Sequence, residues 1–91
     1  MLCDLARTHA TRYEPNEQFN RAVLHFSDGS YLEFEHTGRD RRWARASADQ
    51  TVADRVLQSM RLFRLNAKHL QLFFEDGSDA EFRSLIAGPG V

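Results

Sequence analysis

Four histidines, His9, His25, His36 and His69, are the residues of this chain best suited to holding a metal, because neutral imidazole is the commonest nitrogen ligand. Their spacing matches no known ligand pattern. The single cysteine, Cys3, has no second thiol with which to form a paired metal site or an internal disulfide. Cys3 and His9 have the side chains of a nucleophile and a base, but activating a thiol needs an ordered, electropositive setting that the first residues do not promise. The carboxylates Asp28, Glu33, Glu35, Asp76, Asp79 and Glu81 could work in acid and base pairs. Their places, beside Gly29 and Gly77 and at alternate strand positions, are those of turn formers and solvent-facing residues. The expectation is a domain that is not an enzyme, with no catalytic residue, no metal and no cofactor.

Binding chemistry is more legible. Arg39, Arg41, Arg42 and Arg45 surround Trp43, and guanidinium with indole is the combination that holds phosphate and stacks on bases. Against this stands a formal net charge of -1, which gives the molecule as a whole no attraction for nucleic acid or an anionic membrane. The competing candidate is an apolar strip of Val23, His25, Tyr31 and Phe73, set among charges on the outer face of a sheet, where a bare face commonly meets a partner. The reading preferred from sequence is a small binding module that acts through protein contacts as a homodimer, using that face or an edge strand. The alternative is an accessory domain for nucleic acid or a phosphate-bearing ligand, built on the arginine-rich turn.

These side chains need a frame, and hairpin patterns supply most of it. Residues 21–27 and 30–36 are rich in β-formers and flank Asp28-Gly29. A three-residue loop, with Gly29 left-handed at a bulge, puts Leu24 opposite Leu32 and Ala22 opposite Phe34. One face is then wholly apolar, whereas a one-residue slip would mix apolar and charged side chains on both faces. The same pattern returns 48 positions later around Asp76-Gly77, with Leu70, Leu72, Phe74, Ala80 and Phe82 inward. The string Phe26-Ser27-Asp28-Gly29-Ser30 looks like that of many small bacterial domains, but hairpin chemistry dictates it and it transfers no function.

Between the hairpins, residues 41–46 alternate as a third strand. Ser47 with Gln50 suggests a capping box, and Val52, Ala53, Val56, Leu57, Met60 and Phe63 recur at helical spacing. A helix over residues 48–65, ended by Asn66, follows. The fold expected is α+β: an antiparallel sheet of about five strands (three-strand meander, helix, hairpin) with one long helix packed on one face. Residues 1–18 read as an arm or short helix, residues 19–86 as a single domain and residues 87–91 as a flexible tail. Seven phenylalanines in 91 residues imply one real core. The absence of a long apolar run or signal-peptide pattern, with one cysteine, points to a soluble protein of the cytoplasm that is not bound to a membrane.

Overall fold

Two hairpins with the expected registers anchor the structure, a computed structural model that describes residues 1–38 and 41–83. In the first, β2 (Arg21–Phe26) pairs antiparallel with β3 (Tyr31–His36), with Leu24 opposite Leu32 and Ala22 opposite Phe34. In the second, β6 (Leu70–Phe74) pairs with β7 (Asp79–Phe82), with Leu72 opposite Ala80 and Leu70 opposite Phe82. Gly29 and Gly77 both take positive φ, 86° and 87°, as the bulged three-residue loop requires.

The strand and helix count differs from expectation. Among the described residues there are two sheets and two short helices, where one five-stranded sheet under one long helix was expected. The first sheet has the order β1-β2-β3-β4, with β1 at Ala10–Pro15 and β4 at Arg42–Ala46; the second has the order β5-β6-β7, with β5 at Met60–Leu65. Helix α1 spans Cys3–His9 and α2 spans Val52–Ser59. The long helix ends early because Met60–Leu65 pairs with β6, and turning Phe63 and Leu65 inward as a strand buries both. Met60 and Phe63 satisfy a helical period as well as a strand, so periodicity alone could not separate the two. Caps shift accordingly. Thr51, not Ser47, is the N-cap, its side chain accepting the Asp54 amide, while Ser47 Oγ accepts the amide of Tyr31. Asn66 does not close a helix but forms the β5–β6 turn, its Oδ1 accepting the amides of Lys68 and His69.

Residues 3–15, within the segment read as an arm or short helix, supply α1 and β1, and Cys3 and Ala6 lie in the core. The tail at 87–91 lies outside the described residues. Once α1 and β1 are in place, the molecule is a duplication of helix, strand and hairpin. Both helix-to-strand junctions run directly into a bulge, at Ala10/Arg12 and Met60/Leu62. Six residues separate Pro15 from Ala22 where four separate Leu65 from Leu70, so the repeat offset changes from 50 to 48. The inner faces of both sheets form one core, in which Phe34 and Phe63 meet edge to face with ring centroids 5.0 Å apart. At about 1.5–3 kcal/mol for each large side chain buried, Phe34, Phe74, Leu24, Leu32, Leu70 and Leu72 carry much of the stability.

The helices cross over. Helix α2 packs on β2, β3 and β4 of the first half, and α1 packs on β6 and β7 of the second. No helix among the described residues is long and apolar enough to cross a membrane.

Candidate functional site

The two Asp-Gly-Ser turns hold the crossed helices in place. In each turn the aspartate Oδ1 accepts both the hydroxyl and the amide of the serine two residues on, which orients the pair. The other aspartate oxygen and the serine Oγ then face a helix N-terminus, where backbone N–H groups lack intrahelical partners. Val52 N–H donates to Asp28 Oδ2 at 2.9 Å and Ala53 N–H to Ser30 Oγ at 3.1 Å. On the opposite side Leu2 N–H donates to Asp76 Oδ2 at 2.8 Å and Cys3 N–H to Ser78 Oγ at 3.1 Å. Each hairpin therefore caps the helix of the other half. The serine hydroxyl, then the helix amide, then the serine amide hold both carboxyls below the usual range, at about 2. These aspartates are committed to architecture. Sequence reasoning saw them only as turn formers; the matching pairs Cys3/Ala53, Asp4/Asp54 and Tyr13/Phe63 at an offset of 50 were the signal that the repeat extended through the helices.

The outer face of the first sheet is a lattice of ion pairs with aromatics among them. Glu14 meets Arg12 Nη2 and His25 Nε2, both at 2.6 Å, and the guanidinium, followed by the imidazole, lowers its carboxyl below the usual range. Arg21 Nε lies 2.9 Å from Glu35, which also accepts from Trp43 Nε1 at 3.3 Å. Arg45 lies 3.5 Å from Glu33 with its guanidinium 5.0 Å from the Trp43 ring centroid. Val23, His25 and Tyr31 do share this face, His25 and Tyr31 with ring centroids 6.0 Å apart. Phe73 does not join them. It belongs to the second sheet, where the Arg64 guanidinium lies 5.7 Å from its ring.

The arginine-rich turn is likewise divided. Trp43 and Arg45 lie opposite Glu35 and Glu33 on the outer face, whereas Arg42, opposite His36, alternates to the other side. Arg41 is exposed, and Arg39 lies outside the described residues. The histidines are dispersed: His9 Nδ1 lies 3.1 Å from Ser27 Oγ, and His69 Nδ1 lies 3.7 Å from Glu81. Cys3 is buried with its thiol directed at Asp4, away from any nucleophile–base pair with His9. Among the described residues no three His, Cys, Asp or Glu side chains converge as a metal site.

One surface was not foreseen. A groove of about 550 Å³ runs between β1 and the outer edge of β7, lined by Ala10, Tyr13, Leu24 and Phe82 with Arg12 and Glu81 at its rim. The Tyr13 hydroxyl is buried there without a hydrogen-bond partner among the described residues, and burial pushes its pKa up to about 12. Phe82 occupies on β7 the place that Phe34 occupies on β3, since Leu70 and Ala22 are their equivalent partners. Phe34 is 1 % exposed beneath β4, whereas Phe82 is only half-buried. Searches of protein-family models, curated proteins and solved structures found no match to this chain.

Proposed function

We propose that this domain is a non-catalytic cytoplasmic binding module that acts through protein contacts and pairs with a second copy of itself. The observation that supports this most is the open edge of β7, which among the described residues pairs only with β6 and borders a groove with an apolar floor. A strand edge offers a row of N–H and C=O groups that another strand can complete. A reducing compartment suits the one free, buried cysteine.

The second reading, binding of nucleic acid or a phosphate-bearing ligand at Arg41, Arg42, Trp43 and Arg45, draws on the half-exposed indole beside a guanidinium. It ranks second because Arg21 and Arg45 already face Glu35 and Glu33 across the same surface. Sedimentation equilibrium separates the two. A dimer at micromolar concentration supports the protein-contact reading, and a monomer at every accessible concentration overturns self-association. Titration with single-stranded DNA at low salt tests the rival: binding whose logarithmic salt slope is about -0.7 per phosphate, and which Trp43→Ala weakens, would favour it instead.

A further inference from the structure

We propose that β7 is the dimer strand, pairing antiparallel with β7 of a second copy about a two-fold axis through Phe82. This rests on the protein-contact reading above and specifies its surface, its register and its partner. The first half of the molecule shows what such an edge accommodates. There β4 lies along β3, with Ala44 opposite Phe34 on the inner side and Arg45 opposite Glu33 on the outer side. Along β7 the equivalent seat has no strand among the described residues, and it coincides with the larger groove, about 550 Å³ against about 270 Å³ beside β4.

The occupant is identified by charge and spacing. A strand lying antiparallel to β7 must present a base to Glu81, an acid to Arg83 and an apolar group to Phe82, because residues directly opposite share a face. The sequence Glu81-Phe82-Arg83 meets all three requirements when turned on itself. Centred on Phe82, Glu81 faces Arg83 of the second copy, Arg83 faces Glu81 of the second copy, and the two phenylalanine rings meet over the groove. Centring the axis one residue earlier would set Glu81 against Glu81 of the second copy, two like charges directly opposed. Glu81 and Arg83 already lie 2.9 Å apart within one chain, exposed on the outer face, so exchanging partners across the axis requires little rearrangement. The groove also holds the Tyr13 hydroxyl, whose missing partner an incoming backbone can supply.

The test is charge reversal followed by sedimentation equilibrium of the full chain, with thermal melts to confirm that each variant folds. Glu81→Arg sets two guanidiniums opposite each other, and Arg83→Glu sets two carboxylates opposite each other. Each should raise the dimer dissociation constant at least tenfold. The double variant Glu81→Arg with Arg83→Glu restores opposite charges across the axis and should recover the wild-type constant. A dimer indifferent to both single reversals overturns this register while leaving the protein-contact reading intact. A wild-type chain that is monomeric throughout overturns both.

Discussion

Ser30 Oγ accepts the amide hydrogen of Ala53 at 3.1 Å, joining the first hairpin to the helix of the second half, and Ser78 does the same for Cys3. Both serines are buried, at 5 % and 6 % exposure, so removing either hydroxyl leaves a helix amide without a partner in a dry site. Ser30→Ala and Ser78→Ala should each cost about 1–3 kcal/mol. Urea melts showing no loss of stability for either variant would deny the serines their capping role.

The capping aspartates predict acid sensitivity. With folded pKa values of about 2 against an ordinary 3.8, Asp28 and Asp76 bind protons more readily in the unfolded chain. The stability they contribute is present in full above the ordinary carboxylate range and is lost as pH falls through about 4 to about 2. Thermal melts across that window should show a falling transition temperature, less steep in Asp28→Asn or Asp76→Asn. Equal slopes in variants and wild type would contradict the assignment.

At Gly29 and Gly77 nothing lies within 4 Å of where a Cβ would stand, so substitution there tests backbone conformation alone. Alanine resists the positive φ, and Gly29→Ala and Gly77→Ala should each destabilise by about 1 kcal/mol. Equilibrium unfolding measures the loss directly; unchanged midpoints would argue against left-handed glycines.

Tyr13 yields a prediction of opposite sign. Its buried hydroxyl lacks a partner among the described residues, so Tyr13→Phe should leave the monomer's stability unchanged or raise it by about 1 kcal/mol. Ultraviolet titration of the wild type should show one of the two tyrosines ionising near pH 12, a step missing from the variant. A clear loss of stability in Tyr13→Phe would mean that the hydroxyl is satisfied after all.

The hairpins were legible because a period of two, an Asp-Gly turn and one apolar face all favoured a single register, and Leu24 opposite Leu32 is the outcome. The helix was overread at its end. Met60 and Phe63 fit helical spacing, and only the pairing of Met60–Leu65 with β6 reveals a strand. That strand was visible in principle through its counterpart β1, but the offset changes from 50 to 48 within the turn, so a fixed-offset comparison centred on the hairpins loses the helices. Phe73 falls outside the outer strip for a related reason: alternation assigns a residue to a face but not to a sheet, and Phe73 belongs to the second. The aspartate and serine caps join residues 23 and 24 positions apart in one direction and 74 and 75 in the other, distances at which local patterns carry no information.

Those separations also set an order of assembly on the ribosome. Helix α1 is translated well before the turn at Asp76 and Ser78 that holds its amides. A seven-residue helix is marginal in water without support. Helix α1 therefore lacks these caps until the second hairpin has been made. Its capping then reports that synthesis has passed the second hairpin.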